Sequence, residues 1–100
     1  MACIAGIAID ERRLAAVCER YGIAALEVFG SSARGAARPD SDIDNLYTMM
    51  PGRRLGWEIE DLADELSALL GRPVDLVSRR ALYPLLRQAV LAEARSLYAA

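Results

Sequence analysis

The chain has 100 residues, of which 54% are hydrophobic, so it is long enough to form one small domain with a core of its own. Lys and Arg together number 12 against 14 Asp and Glu, and this formal net charge of −2 argues against broad, sequence-independent binding of nucleic acids. The chain contains no histidine, which removes the commonest general base and zinc ligand, so any acid–base or metal chemistry must use carboxylates.

The apolar stretches are too short for a membrane protein. None approaches the roughly 20 residues that a spanning helix needs. The apolar start "MACIAGIAI" has no basic residues before it and is followed at once by "DERR", so it does not have the pattern of a signal peptide. Two cysteines are too few for a disulfide framework. We therefore expect a cytoplasmic protein that does not associate with membranes.

The first half of the chain alternates between helix and strand signals. Asp10 can cap a helix over residues 11–21, whose apolar side chains recur at helical spacing, and Gly22 follows as a stop. "IAALEVF" then predicts a short strand over 23–29. Residues 30–41 are rich in small residues and contain Pro39, which predicts a loop, and "DIDNLYTMM" over 42–50 alternates as a strand does.

The second half begins with the clearest helix signal. Leucine and isoleucine recur at helical spacing over about 54–70, Gly71 ends the pattern, and Pro73 prevents its resumption. "VDLVS" over 74–78 predicts a third strand, and a last helix is expected from about 79 to about 98. This order predicts an α/β (α+β) fold in one domain spanning 1–100, with a small mixed sheet and helices packed on one face.

Three aspartates are the strongest candidates for a functional site. Residues two apart on a strand share a face, so Asp42 and Asp44 are expected to project together. Asp75 lies mid-strand among apolar neighbours, where a carboxylate needs solvent or a cation. If the two strands are neighbours, three carboxylates converge, and such an oxygen cluster suits Mg²⁺ or Mn²⁺. Either strand's aspartates alone would be read as solvated; the set of three favours metal.

A small, polar loop lies directly upstream of this pair. Gly30 and Ser31 immediately follow a predicted strand, where a glycine lets the backbone approach a phosphate and the next amide and hydroxyl groups can donate to it. Ser32 adds a hydroxyl and Arg34 a charged donor. "GSSARG" is not a Walker motif, because the GK[ST] ending is missing. Phosphoryl or nucleotidyl transfer needs a phosphate-binding loop, a divalent metal ion and carboxylates that hold the ion.

At this point the sequence resembles the minimal nucleotidyltransferases of the DNA polymerase β-like superfamily. Their signature is Gly-Ser, ten residues, then Asp-x-Asp, which is met here by Gly30-Ser31 and Asp42-Ile43-Asp44, with Asp75 as the later aspartate. The resemblance spans nearly the whole chain and implies a palm-like nucleotidyltransferase fold.

The resemblance also implies roles for these residues. Gly30 and Ser31, with Ser32 and Arg34, would hold a nucleoside triphosphate. Asp42 and Asp44 would bind the divalent ions. Asp75 would complete the metal site and help to deprotonate the acceptor hydroxyl.

Small members of this family often act as antitoxins paired with a HEPN ribonuclease toxin, and some transfer AMP from ATP to a tyrosine of that partner. The resemblance therefore implies a Mg²⁺-dependent protein adenylyltransferase with a HEPN-type toxin as partner. Two alternatives stay open: an antitoxin that neutralises its partner by binding alone, and an enzyme that modifies a small molecule such as an aminoglycoside. We also expect a homo- or hetero-oligomer, because a sheet this small leaves exposed edges.

One position departs from the family pattern. The residue after the second aspartate is usually apolar, and here it is Asn45. By alternation its side chain faces the helices, where an amide must find hydrogen-bond partners or cost about 1–3 kcal/mol. The sequence predicts a polar side chain in the core directly behind the carboxylate pair.

Overall fold

The computed structural model describes residues 2–4, 7–30, 42–82 and 84–100. In chain order the elements are strands β1 (Ala2–Ile4) and β2 (Ile7–Ile9), helix α1 (Glu11–Tyr21), strands β3 (Ile23–Phe29) and β4 (Ile43–Met49), helix α2 (Ile59–Leu70), strand β5 (Val74–Ser78), a 3₁₀ turn (Arg79–Ala81), helix α3 (Pro84–Glu93) and strand β6 (Arg95–Ala99).

A mixed four-stranded sheet forms the centre of the fold. Its strand order is β5-β4-β3-β6, in which β4 and β5 run parallel and the other neighbours run antiparallel. The parallel pair is possible because α2 carries the chain from the end of β4 back to the start of β5. β1 and β2 form a separate antiparallel hairpin.

One face of the sheet is covered by α1 and α2. Their fully buried side chains, Leu14 and Cys18 from α1 and Leu62 and Leu66 from α2, belong to the same hydrophobic core as alternate residues of β3 and β4. The helices are also joined at the surface, where the Tyr21 hydroxyl donates to Glu65 and the Arg20 guanidinium lies 2.6 Å from the same carboxylate. The Glu65 hydrogen bond raises the pKa of Tyr21 to about 12. The predicted mixed sheet with helices on one face is confirmed.

Local signals set the ends of α1. The Asp10 side chain accepts a hydrogen bond from the amide of Arg13 at 3.3 Å, which satisfies one of the free amides of the first turn. The amide of Gly22 returns to the carbonyls of Cys18 and Glu19 and ends the helix. The predicted bounds of this helix and of the strands that became β3 and β5 agree with the structure.

Two predicted helices differ from the structure. α2 begins at Ile59 instead of about 54, and Leu55 reaches the core from the preceding loop. The last helix, predicted from about 79 to about 98, spans only Pro84–Glu93: Arg79–Ala81 form a 3₁₀ turn, and Arg95–Ala99 form β6, which pairs with the free edge of β3. The helical spacing of apolar residues extends into the loop before α2 and into β6, so this spacing alone does not show where either helix begins or ends. Within the described ranges, no helix is long and apolar enough to cross a membrane.

Candidate active site

Asp44 and Asp75 lie side by side at one end of the sheet. They are register partners on the parallel strands β4 and β5, so their side chains leave the same face of the sheet. This face is the one opposite Ile43 and Asn45, which are buried against the helices. Asp44 is half-buried and Asp75 is exposed. The structure therefore brings together two carboxylates that are 31 positions apart in the sequence.

Asp42 is exposed and comes directly before β4. Its charge acts on Asp44, whose pKa is raised above the ordinary value by burial, by the negative charge of Asp75 and by that of Asp42, in that order. The three carboxylates thus form one electrostatic unit, and Asp44 is its central member. Like charges held together in this way favour either a proton or a bound cation.

Gly30 lies directly beside the Asp44 carboxylate. It ends β3 with φ +70°, in the left-handed region that favours glycine. A Cβ atom built on Gly30 would lie 2.8 Å from Oδ2 of Asp44, closer than non-bonded atoms come. The glycine therefore leaves the space that the Asp44 carboxylate occupies. The start of the small, polar loop and the Asp-x-Asp pair meet here, as the motif predicts.

Main-chain and side-chain hydrogen bonds fix the register of the two acidic strands. The amide of Ile43 donates to the carbonyl of Pro73 at 2.8 Å, just before the paired aspartates. The Ser67 hydroxyl in α2 donates to the carbonyl of Ala63 at 2.7 Å and accepts from the amide of Val74 at 3.0 Å. Sequence reasoning missed Ser67, because its contact with β5 depends on the tertiary fold; its one local signal is a polar residue within the leucine-rich end of α2.

Asn45 is fully buried, as its position predicts. Its Nδ2 donates to the carbonyl of Ile43 at 3.2 Å. This carbonyl belongs to the peptide bond between Ile43 and Asp44, within the Asp-x-Asp motif. Its Oδ1 has no hydrogen-bond partner in the described part of the chain. The amide thus contacts the backbone that carries the carboxylate pair, at the cost of one unsatisfied acceptor in the core.

Three of the predicted nucleotide-binding residues, Ser31, Ser32 and Arg34, lie outside the described residues. Of the proposed metal ligands, Asp42, Asp44 and Asp75 supply oxygen donors only, which suit a hard divalent cation. Among the residues that the structure describes, no group of three or more acidic, cysteine or histidine side chains is arranged to hold a metal ion. Asp44 and Asp75 are the pair in register, and Asp42 lies at the end of the strand beside them.

The raised pKa of Asp44 predicts a pH effect on stability. A carboxyl whose pKa is higher in the folded than in the unfolded protein binds more protons when folded, so the free energy of unfolding falls as the pH rises through the folded pKa. We expect Asp44→Asn, which mimics the neutral form, to melt at a higher temperature than wild type near about pH 7 in the presence of a chelator. The difference should vanish below the ordinary pKa of aspartate.

Thermal unfolding across this pH range measures the effect. Asp64→Asn on the exposed surface of α2 removes the same charge and is the matched control. A difference between wild type and Asp44→Asn that is independent of pH, or equal for both variants, would contradict the electrostatic origin.

Comparison with known proteins identifies what this arrangement is similar to. The family model of the nucleotidyltransferase domain matches residues 11–97. Protein adenylyltransferase MntA of Thermococcus cleftensis is 40% identical over 77 residues, which are 75% of this chain and 75% of that protein. A solved structure described as a minimal nucleotidyltransferase is 48% identical, covers 86% of this chain and 89% of its own, and superposes with a TM-score of 0.70.

Two solved toxin–antitoxin complexes also contain chains of this fold. One, a toxin–antitoxin with AMP-PNP, matches with a TM-score of 0.70 at 24% identity and covers 92% of this chain and 75% of its own. The other holds a tri-AMPylated HEPN toxin of Shewanella oneidensis with its MNT antitoxin; it matches with a TM-score of 0.57 at 24% identity and covers 90% and 70%. At these identities the likeness establishes the fold, and an ATP analogue is bound in one such complex.

Proposed function

Since the chain belongs to the nucleotidyltransferase domain family, we propose that it is the antitoxin of a HEPN toxin–antitoxin pair and transfers AMP from ATP to a hydroxyl group, a tyrosine, of its toxin. The observation that carries the proposal is the register of Asp44 with Asp75 beside the positive-φ Gly30. The name of the Thermococcus relative, and the AMPylated toxin bound to the antitoxin from Shewanella, support AMP as the group transferred and a HEPN toxin as the acceptor.

The proposed reaction exchanges a phosphoanhydride bond of ATP for a phosphoester bond to the acceptor hydroxyl. The acceptor oxygen bonds to the α-phosphorus of ATP, the bond from that phosphorus to the bridging oxygen breaks, pyrophosphate leaves, and the hydroxyl proton passes to a base. Asp75 is the exposed member of the acidic pair and is the group that we assign to accept this proton. Gly30 and the Ser31, Ser32 and Arg34 segment would bind the triphosphate, as the family motif implies.

Asp42, Asp44 and Asp75 would hold Mg²⁺ or Mn²⁺, which when bound stabilises charge on the phosphate oxygens and on the leaving group. The half-buried Asp44 carboxylate lies between two other negative charges, so a cation there offsets the repulsion that raises its pKa. The chain's own contribution is to hold the Asp44 and Asp75 carboxylates side by side through the β4–β5 register, with Asp42 just before β4. We place this activity in the cytoplasm, in a single catalytic domain.

A labelling experiment tests the proposal. The protein is incubated with Mg²⁺, its HEPN partner and ATP labelled either at the α- or at the γ-phosphate, and the toxin is examined by intact-mass spectrometry and autoradiography. We expect the α label, with the mass of one or more AMP groups, on a tyrosine of the toxin, and no γ label. Neutralisation of the toxin without any transfer, under Mg²⁺ or Mn²⁺, would instead support an antitoxin that acts by contact alone.

A further inference from the structure

A basic cleft lies at the opposite end of the parallel strand pair from the aspartates. Arg53 and Arg54 follow β4, and Arg80 lies in the 3₁₀ turn after β5; because β4 and β5 are parallel, the segments that follow them meet at the same edge. The cleft has a volume of about 240 Å³. Its remaining walls are Tyr47 and Ser78, which are register partners, and the apolar side chains of Met49 and Leu55.

The charge of this cleft is uncompensated. Three arginine residues line it and no acidic residue does, although the whole chain carries a net charge of −2. In the described part of the chain, Arg53, Arg54 and Arg80 make no side-chain hydrogen bond or ion pair. The neighbouring Arg79 differs, since its guanidinium lies 4.0 Å from Glu27. Arginine does not lose its proton, so these exposed side chains keep their positive charge and attract anions.

The fold holds Arg53 in place. Its guanidinium lies across Gly22, where a Cβ atom would be 2.7 Å from Cζ of Arg53. The backbone beside it is fixed as well, because the amide of Met50 donates to the carbonyl of Gly22 at 2.8 Å and the amide of Arg53 donates to the carbonyl of Met50 at 3.0 Å. The fold therefore fixes the position of Arg53, between this cleft and a neighbouring cavity lined by Gly22 and Glu19.

We infer that the cleft formed by Arg53, Arg54, Arg80, Tyr47 and Ser78 is a second anion site, which binds phosphate groups. These five residues line the cleft, and their guanidinium and hydroxyl groups are hydrogen-bond donors that suit the several acceptor oxygens of a phosphate. Its nearest wall on β4, Tyr47, lies about 10 Å along the strand from Asp44, so the cleft is separate from the proposed catalytic centre. The phosphate could come from a free polyphosphate or from the backbone of an RNA strand.

Binding is measured in EDTA, so that no divalent ion can recruit a ligand to the aspartates. The probes are inorganic tripolyphosphate, followed by calorimetry, and a fluorescein-labelled single-stranded RNA of mixed sequence, followed by anisotropy. The test variant is Arg54→Gln with Arg80→Gln. The matched control is Arg12→Gln with Arg13→Gln, which removes the same charge from the exposed surface of α1.

We expect the test variant to bind at least about tenfold more weakly than wild type and the control to stay within about twofold, because direct phosphate contacts exceed long-range charge effects. Binding of both probes assigns the site to phosphate in general, and binding of RNA alone assigns it to a polynucleotide backbone, with a salt slope that falls by about 1.4 in the test variant.

Three results would overturn the inference: no binding of either probe at millimolar concentration, equal weakening in test and control variants, or displacement by polyglutamate as effective as displacement by tripolyphosphate. Asp42→Asn with Asp44→Asn should leave binding to the cleft within about twofold of wild type. This variant also separates the two proposals, because the cleft can bind phosphate whether or not the chain transfers AMP.

Discussion

Asp44→Asn is expected to reduce AMP transfer to the toxin by at least about 10³-fold, the largest loss of any single substitution in the chain. Asparagine keeps the size of the side chain and one oxygen, but it removes the negative charge that would hold a divalent ion. Because Asp44 is in register with Asp75 and also feels the charge of Asp42, just before β4, losing its charge removes the carboxylate on which the other two act. The measurement is the initial rate of α-label transfer at saturating ATP.

The fold of this variant must be intact for the result to count. We expect Asp44→Asn to melt no lower than wild type in EDTA, since it removes a carboxylate whose charged form is disfavoured by its surroundings. Asp64→Asn, which changes the same functional group on an exposed turn of α2, should transfer AMP at the wild-type rate. Transfer by Asp44→Asn within tenfold of wild type would contradict the assignment of Asp44 to the reaction.

Sequence patterns predicted the elements in which several local signals agree. α1 has a capping aspartate, an apolar face and a terminal glycine, and its bounds agree with the structure. β3 and β5 are short apolar runs bounded by turn residues, and they were also placed correctly. β6 was missed because "RSLYA" follows an apolar helix without a strong stop, and what makes it a strand is the unpaired edge of β3. That edge is a property of the assembled sheet and cannot be read from a local window.

The candidate site likewise has features that the sequence predicts and features that only the assembled fold determines. The two-residue spacing places Asp42 and Asp44 together from the sequence alone, whereas Asp75 is placed beside Asp44 only by the parallel register of β4 and β5. That register depends on contacts such as the one from Ser67 to the amide of Val74, which no periodicity predicts. The close approach of Gly30 to Asp44 likewise depends on how β3 and β4 are paired.

Asn45 is a polar residue at a buried position next to the site, where an apolar side chain is usual. An apolar residue at this core position would avoid the cost of the unsatisfied Oδ1. Its amide instead holds the carbonyl of Ile43, in the backbone between the two aspartates of the motif. Violations of this kind are expected where a protein gives up stability near a functional site, and here the polar side chain and the carboxylates lie on opposite faces of the same strand.

Gly30→Ala is expected to have the second-largest effect, a fall in AMP transfer of about 100-fold together with a loss in the free energy of unfolding that exceeds the roughly 1–2 kcal/mol of a left-handed backbone alone. Two separate causes contribute. A φ of +70° is unfavourable for alanine, and the new Cβ would lie 2.8 Å from Oδ2 of Asp44. Either the carboxylate moves away from its position beside Asp75 or the start of the small, polar loop moves, and both changes disturb the site.

Gly52→Ala separates these causes. Gly52 has φ +78° and nothing within 4 Å of a built Cβ, so its substitution has the backbone strain without the contact. It should lower stability by about 1–2 kcal/mol and leave AMP transfer unchanged. The excess cost of Gly30→Ala then measures the contact with Asp44, and that excess should disappear when both substitutions are compared in an Asp44→Ala background. An excess that persists there would show that Gly30 acts on stability through something other than the Asp44 carboxylate.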